Sequence, residues 1–310
     1  MALAPAWAPS YRTSTPSQMF AAGLYFLLAP RCQALWTETF DVLMAPIQEL
    51  IDAHSHCGWA NPMDLKVVAS TKSDFEAQIE IRADGCGNRL LMMGGFLQCH
   101  SVDEHVYHEM MVHPALLTFA TLAGRPPHSV FLGGSGDGAG PRELLRWQSL
   151  SNVTMVDIDY EVTRFALEWV PGFASGSFED PRLRLITGDA WIHLKEMPED
   201  QTFDILILDF PDAFDSKELE KLYSKEFYKL CRSHMHDKSV LVTQSGPCAE
   251  VTRSGTRAKC WLLEELILPS LTAVFAHVTY SLVHKTLHRA REGRLPPPNG
   301  HMESRQEVSV

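Results

Sequence analysis

A glycine-rich segment that carries a single carboxylate is the part of this sequence best suited to binding a small molecule. Residues 129–140 read SVFLGGSGDGAG, a short apolar run followed by five glycines with Asp137 among them. Glycine lets the backbone approach a ligand closely, as in the nucleotide-binding turn between a strand and a helix. A carboxylate in the middle of such a turn repels phosphate. The segment therefore predicts a cationic or neutral ligand.

Aspartates also follow most of the predicted strands. They are Asp137, Asp157, Asp159, Asp189, Asp209 and Asp212. In a parallel sheet the carboxyl ends of the strands share one edge, and ligands bind beyond that edge. Taken singly, each acid has an ordinary interpretation as a helix cap or a solvated loop residue. As a set, like charges at the mouth of a cleft are tolerable chiefly when hydroxyl or ammonium groups face them.

Hydrophobic patterning shows which elements could position these acids. From residue 129 onward, short apolar runs alternate with helical stretches, which predicts a mainly parallel sheet with helices on both faces. Ahead of it, residues 64–70, 75–83 and 89–99 read as short antiparallel strands. The spacing of Ser101 and Glu104 is that of a capping box and predicts a helix start. Pro114 is expected to end or kink that helix.

Composition narrows the possible functions. With 310 residues and 45% hydrophobic content, the chain can bury a large core. Its net charge of -11 argues against nucleic acid or an anionic membrane as a partner and leaves room for a cationic substrate. Seven cysteines without a C-x-x-C motif predict reduced thiols and no thiolate zinc site. His108 and His113 are one residue too far apart to share a helix face, so no metal is expected there.

The sequence divides into four predicted regions. They are an N-terminal extension at residues 1–60, a small β-sheet domain at 61–102, the main domain at 103–284 and a flexible tail at 285–310. The first 37 residues contain no Asp or Glu, a bias shared by organelle transit peptides, although a disordered or helical extension explains it equally well. We therefore expect a cytoplasmic protein, with a plastid or mitochondrion as the alternative. The apolar stretch at 19–29 is too short to span a membrane.

Several motifs, taken together, resemble the spermidine synthase family of aminopropyltransferases. From about Val67 to Val283, and in the family's order, the chain reads LQCHSVDEHVYHEMMVHPAL, GGSGDGAGPREL, VDIDYEV, GDAWIHL, LDFPDAF and LYSKEFY. The resemblance implies an α/β fold, with a Rossmann-like, methyltransferase-type and mainly parallel sheet behind a small N-terminal antiparallel β domain. It also implies a homodimer that uses decarboxylated S-adenosylmethionine as co-substrate, needs no cofactor or metal, and transfers an aminopropyl group to an amine, with putrescine favoured.

The resemblance further implies roles for residues on the donor side of the site. Asp137 would bind the propylammonium group, Asp157 the two ribose hydroxyls, and Asp189 with Ala190 the adenine. The other residues expected to contact the donor are Gln78, Gly133 and Gly134. Intact S-adenosylmethionine would bring a carboxylate close to Asp137, which favours the decarboxylated donor.

On the acceptor side, the resemblance implies that Asp209 accepts a proton and that Tyr107 shares the catalytic site. Tyr107 and His108 would line the acceptor channel, and Asp212 would position the acceptor's ammonium group. The chemistry is consistent with these roles, because a sulfonium is already a good leaving group and the remaining need is a neutral amine. Alkyl amines have a pKa of about 10, so the site must remove a proton before attack.

Two departures from the family pattern keep other functions open. Asp212 is followed by Ala213 where the family usually has proline, which is expected to loosen the loop. After Val283 the chain does not match the family's closing segment, which supplies a tyrosine over the substrate. The alternatives are an S-adenosylmethionine-dependent methyltransferase on the same scaffold and a catalytically weak homologue that binds polyamines or nucleosides.

Overall fold

The structure is a computed structural model that describes residues 65–73, 75, 77–213, 217–246 and 262–279. The predicted N-terminal extension and C-terminal tail, as well as the apparent end of the family resemblance near Val283, lie outside the described residues.

The first sheet is antiparallel, has four strands and follows the chain order. Its strands are β1 (Lys66–Lys72), β2 (Gln78–Ala83), β3 (Arg89–Met93) and β4 (Phe96–His100). The predicted turn at residues 84–88 is present, with the Asp84 carboxylate accepting bonds from two backbone amides. The single strand predicted at 89–99 was wrong, because Gly94 and Gly95 adopt φ of 57° and 85° and form a hairpin turn. Residues 89–99 are apolar on both sides of the two glycines, so the hydrophobic pattern did not reveal this turn.

The second sheet confirms the predicted parallel architecture. All four of its strand pairs are parallel, and the order is β7-β6-β5-β8-β9. Its strands are β5 (Ser129–Gly134), β6 (Asn152–Asp157), β7 (Leu183–Thr187), β8 (Phe203–Asp209) and β9 (Met235–Thr243). The chain moves outward from β5 to β7 and then returns to β8 on the other side of β5. A crevice therefore opens between the ends of β5 and β8, the place where ligands bind in such sheets.

Helices cover both faces of the parallel sheet. They are α1 (Glu104–Ala123), α2 (Ala139–Leu145), α3 (Tyr160–Trp169), α4 (Pro171–Ala174), α5 (Ala190–Glu196), α6 (Lys217–Lys221), α7 (Lys225–Ser233) and α8 (Leu268–Thr272). A short 3-10 helix spans Ser177–Glu179, and a π-helical segment spans Leu262–Ile267. None of the helices in the described ranges is long and apolar enough to cross a membrane.

Helix α1 differs from the prediction at its start, and it does not end at Pro114. It continues through Pro114 to Ala123, and its start lacks the predicted capping box. The Ser101 hydroxyl instead accepts a bond from the backbone amide of Arg89. Proline inside a helix costs about 3 kcal/mol, whereas full burial of one large apolar side chain contributes about 1.5–3 kcal/mol. Several such side chains on α1, including Met111 and Phe119, pack against the sheet and outweigh the proline.

Alternation along the strands builds two separate cores. In β5, Val130 and Leu132 point to the face covered by α1 and α2, while Phe131 points to the face covered by α5 and α7. A third cluster joins the small sheet to helices that flank the parallel sheet, with Ile81 and Cys99 of the small sheet packed in the same cluster as Phe165 of α3. The small sheet is thereby fixed against the edge that carries the strand-end acids.

An ionic network ties the amino-terminal edge of the parallel sheet together. The Asp204 carboxylate on β8 accepts bonds from Arg125 at 2.6 and 3.0 Å and from the backbone amide of His128 at 2.6 Å. His236 of β9 lies 2.9 Å from the same carboxylate. Burial raises the pKa of Asp204, but the bonds from Arg125, His128 and His236 outweigh burial and lower that pKa to about 2.

We predict that Asp204→Asn lowers the free energy of unfolding at pH 7 by about 1–3 kcal/mol, the usual scale for hydrogen bonds to a charged group. Since the folded pKa is depressed, this stabilisation is complete above the unfolded pKa of about 3.9 and is lost as pH falls toward 2. Urea unfolding of both proteins at pH 7 and pH 3 measures it. A difference that stays constant between the two pH values would contradict the prediction.

Candidate active site

The glycine segment and Asp209 meet at the crevice between β5 and β8. Gly134 pairs with Asp209 in the register of these two strands. Gly134 has a φ of 82°, and a Cβ atom at this position would overlap the carbonyl oxygen of Asp209. Only glycine allows this turn to lie against the end of β8. Gly133 and Gly134 are both buried at the end of β5, and their predicted contacts with the donor stay a prediction.

The side chains of Tyr107 and Asp209 are joined by a hydrogen bond. The Tyr107 hydroxyl donates to Oδ1 of Asp209 at 2.6 Å, which joins the start of α1 to the end of β8. Burial and the nearby negative charge of Asp137 raise the pKa of Asp209, and His108 together with the Tyr107 hydrogen bond oppose this rise. A raised pKa makes a carboxylate a better proton acceptor than an ordinary aspartate.

His108 is a buried cation beside the acids. Its Nδ1 atom lies 2.7 Å from the Glu104 carbonyl oxygen and 3.2 Å from the Glu104 carboxylate, and its Nε2 atom lies 3.7 Å from Oδ2 of Asp137. Burial lowers the pKa of His108, but Asp137 and the Glu104 hydrogen bond raise it to about 9 overall. The imidazole is therefore charged at neutral pH. Part of the compensation expected from a ligand's ammonium groups comes from the protein itself.

Asp137 has both an ordinary loop role and a role in the crevice. Its Oδ1 atom accepts a bond from the backbone amide of Ala139 at 2.9 Å, as loop aspartates often do. Its other carboxylate oxygen faces His108. Burial, and hydrogen bonding to Asp137, raise the pKa of the Cys99 thiol well above its usual value.

Asp157 lies against the glycine segment at the end of β6. A Cβ atom on Gly136 would lie 2.8 Å from Oδ2 of Asp157, so glycine is needed at this contact too. Burial raises the pKa of Asp157 to about 6, against the bonds it accepts from the backbone amides of Asp159 and Gly136. At neutral pH its carboxylate is ionised and available to accept hydrogen bonds.

Two of the six acids serve as helix caps. Asp159 accepts a bond from the backbone amide of Glu161 at the start of α3. Asp189 accepts bonds from the amides of Trp191 and Ile192 at 2.7 and 3.2 Å and caps α5. Their ordinary interpretation is confirmed, and Ala190 is buried beside the cap.

Two exposed apolar side chains at this edge were missed. Ile158 follows Asp157 directly and is 48% exposed, and Ile192 in the first turn of α5 is 52% exposed. In the sequence, the signal for these two residues was their position close to aspartates at the ends of strands. By contrast, Gln78 is exposed at the start of β2 and makes no hydrogen bond to the strand-end acids within the described part of the chain.

The loop that carries Asp212 is anchored by two residues that sequence reasoning did not single out. The Tyr223 hydroxyl lies 3.0 and 2.9 Å from the carbonyl oxygens of Phe210 and Pro211, which share its single hydrogen. Gln244 donates to the Phe210 carbonyl oxygen at 2.7 Å. Ala213, where proline was expected, is buried, so packing and these bonds restrain the loop. The charge of Asp212 contributes to the raised pKa of Tyr107.

Three residues from different elements also form a group of possible metal ligands. One ligand atom each from Cys99, His108 and Asp137 lies within 4.8 Å of the other two. His113 is not part of this group, because it bonds to Trp147 and Glu143 instead. Among the described cysteines, Cys99 and Cys231 are free and buried. Cys86 is disulfide-bonded, so the expectation of reduced thiols was wrong there.

Together, the parallel sheet, its small N-terminal sheet and the acidic crevice define a Rossmann-like, methyltransferase-type scaffold. Residues 104–259 match the model of the spermine/spermidine synthase domain. The chain is 34% identical over 213 residues to polyamine aminopropyltransferase 1 of Hyperthermus butylicus, covering 68% of each chain. This chain belongs to the spermine/spermidine synthase family.

Other relatives carry the same activity in their names. Polyamine aminopropyltransferase of Synechococcus sp. (strain JA-2-3B'a(2-13)) is 36% identical over 186 residues, covering 60% of this chain and 58% of that protein. The chain spans 58–68% of the length of these two relatives. The fold is similar to a spermidine synthase in complex with the transition state analogue AdoDATO, with a TM-score of 0.57 and 21% identity over 70% of this chain and 73% of that one. Spermidine synthase from Thermotoga maritima gives 0.54 and 19%, over 70% and 72%.

We predict that Tyr223→Phe loosens the Asp212 loop and lowers the free energy of unfolding by about 1–3 kcal/mol. The reason is that the Pro211 carbonyl oxygen loses its donor while the Phe210 carbonyl oxygen keeps only the bond from Gln244. Hydrogen exchange of peptides that cover residues 209–224 should become faster. Tyr228→Phe is the matched control, because Tyr228 is equally buried in the same cluster and makes no bond to that loop. Equal exchange in the two variants would show that Tyr223 does not anchor the loop.

Proposed function

We propose that this chain transfers the aminopropyl group of decarboxylated S-adenosylmethionine to an amine, with putrescine favoured, and releases a polyamine and methylthioadenosine. The observation that carries the proposal is the bonded pair of Tyr107 and Asp209 in the crevice, with Asp137 close enough to affect the pKa of Asp209. Family membership and the names of the relatives support the same activity.

In the proposed reaction, the amine nitrogen attacks the carbon of the donor's aminopropyl group that is bonded to the sulfonium sulfur. A carbon–nitrogen bond forms, the carbon–sulfur bond breaks, and its electron pair remains on sulfur as neutral methylthioadenosine. The nitrogen must lose a proton, and Asp209 accepts it. Tyr107 holds the Asp209 carboxylate in one orientation through its hydrogen bond. Alignment of nitrogen, carbon and sulfur within the crevice supplies much of the rate.

The donor would bind along the strand ends from β8 to β7. Its propylammonium group would face Asp137, and the ionised Asp157 would accept bonds from both ribose hydroxyls. The adenine would lie near Asp189 and Ala190, where the exposed side chains of Ile158 and Ile192 offer apolar surface for a flat ring. We also propose, from the family resemblance alone, that Gln78 contacts the donor.

The acceptor would enter past Tyr107 and His108. Asp212 would bind its distant ammonium group, which keeps the attacking nitrogen at Asp209. The anchored loop fixes the position of Asp212. The distance between Asp209 and Asp212 would then favour a diamine of one length. We also propose that the protein acts as a homodimer, which sedimentation of the full chain would test.

We predict that Asp209→Asn lowers kcat by about 10²–10⁴-fold, the usual contribution of a positioned base, and leaves donor affinity within a few-fold. Release of methylthioadenosine with putrescine gives kcat, and calorimetry with the donor gives affinity. Asp212→Asn is the matched comparison, and it should raise the acceptor KM more than it lowers kcat. Normal turnover in Asp209→Asn would refute the assignment of the proton acceptor.

The nature of the donor separates this function from its alternatives. The full chain should release methylthioadenosine with the decarboxylated donor and form no S-adenosylhomocysteine with the intact one, because Asp137 opposes the intact donor's carboxylate. Formation of S-adenosylhomocysteine would indicate a methyltransferase. Saturable binding of the donor without either product would indicate a binding protein.

A further inference from the structure

We propose that Cys99, His108 and Asp137 form a binding site for a zinc-type divalent cation, and that this cation competes with the cationic end of the donor for Asp137. The competition rests on the proposed function, whereas the cation site itself does not. The relevant geometry is the approach of three different ligand types, each from a different part of the fold. Cys99 lies on β4, His108 on α1 and Asp137 in the segment after β5.

The distances between the three ligand atoms are close to those of a tetrahedral metal site. Zinc–ligand bonds of about 2.0–2.3 Å place neighbouring ligand atoms about 3.3–3.8 Å apart. The Nε2 atom of His108 already lies 3.7 Å from Oδ2 of Asp137, and all three ligand atoms lie within 4.8 Å of one another. Closing a separation of 4.8 Å to this range shortens it by about 1.0–1.5 Å, which is shared between the two side chains.

The orientation of His108 supports metal binding independently of distance. Metal-binding histidines usually direct their second ring nitrogen to a carbonyl or carboxylate, which fixes the ring. Here Nδ1 of His108 faces the Glu104 carbonyl oxygen at 2.7 Å, which leaves Nε2 directed at Asp137. Glu104 is in turn held by two bonds from Arg142 at 2.8 and 2.9 Å. The ring is thus held with one nitrogen toward the other two ligands.

The ligand set selects the class of cation. Thiolate, imidazole and a single carboxylate suit zinc and similar transition metals, while magnesium and calcium require mostly oxygen ligands. Binding of the ion replaces the proton of the Cys99 thiol and the Nε2 proton of the His108 imidazolium, and both protons are released to solvent. Three protein ligands leave a fourth position for water, as in exchangeable rather than structural zinc sites. The side chain of Asp137 is 13% exposed, so the group is reachable from the crevice. An ion bound there takes the carboxylate oxygen that the donor's ammonium group would use.

Direct metal binding by the full chain, without substrates, tests the site. Cobalt(II) should give a thiolate charge-transfer band that is lost in Cys99→Ser and in Cys99→Ala, and zinc affinity, measured against a chromophoric chelator, should fall at least about tenfold. Cys231→Ala is the matched control, since Cys231 is a free and buried thiol in a different cluster. Circular dichroism melts check that each variant folds. An unchanged band and affinity in the two Cys99 variants, or no band in the unmodified chain, would overturn the proposal.

Calorimetry of donor binding tests the competition without requiring turnover. Zinc should weaken donor binding in the unmodified chain and in Cys231→Ala, a chelator should restore it, and magnesium at the same concentration should have no effect. In Cys99→Ser the zinc effect should be reduced at least about tenfold. If zinc binds at Cys99 but leaves donor affinity unchanged, the competition is refuted. A chain that binds zinc at Cys99 but binds no donor would instead count against the proposed function.

Discussion

The crevice depends on a chain of alternating buried charges that runs from α2 to the glycine segment. Arg142 binds the Glu104 carboxylate with both terminal guanidinium nitrogens, Glu104 holds His108, and His108 faces Asp137. Hydrogen bonds from His108 and Arg142 lower the pKa of Glu104 despite its burial. An unpaired carboxylate in such a place would lose its charge or destabilise the fold. The alternation lets several aspartates share one edge of the sheet.

The sheet topology turns this chain of charges into a site. Because β8 returns beside β5, the Asp209 carboxylate lies next to the glycine segment and accepts a hydrogen bond from Tyr107 on α1. Glycine at position 134 is required by contact as well as by φ, so the backbone of the glycine segment packs directly against the backbone of Asp209. The small sheet completes the crevice by packing Cys99 into the cluster that includes Ala139, just after Asp137.

Sequence patterning predicted the parallel strands well because the apolar runs are short, and β5, β6 and β8 each end at a glycine or an aspartate, which are local signals. It failed where packing decides the outcome. The apolar run at 89–99 hides a hairpin turn, and α1 passes Pro114 because burial on the sheet outweighs a lost hydrogen bond. The approach of Cys99 to Asp137 needs the two sheets to be placed against each other. Spacing in the sequence contains no information of that kind, so the acids were predictable but their internal partners were not.

The internal partners change how a cation is recognised at this site. Asp137 is already engaged by His108, Cys99 and the Ala139 amide, so an incoming ammonium group or metal ion must exchange with these contacts rather than fill an empty acidic pocket. Net affinity is then the difference between the new contacts and those given up, and it is smaller than the local negative charge alone suggests. Discrimination between the two cations must come from what each does to the groups that contact Asp137. An ammonium group leaves the Cys99 thiol intact, while a metal ion replaces the proton of that thiol. The two cations proposed for Asp137 would therefore depend on Cys99 to different extents.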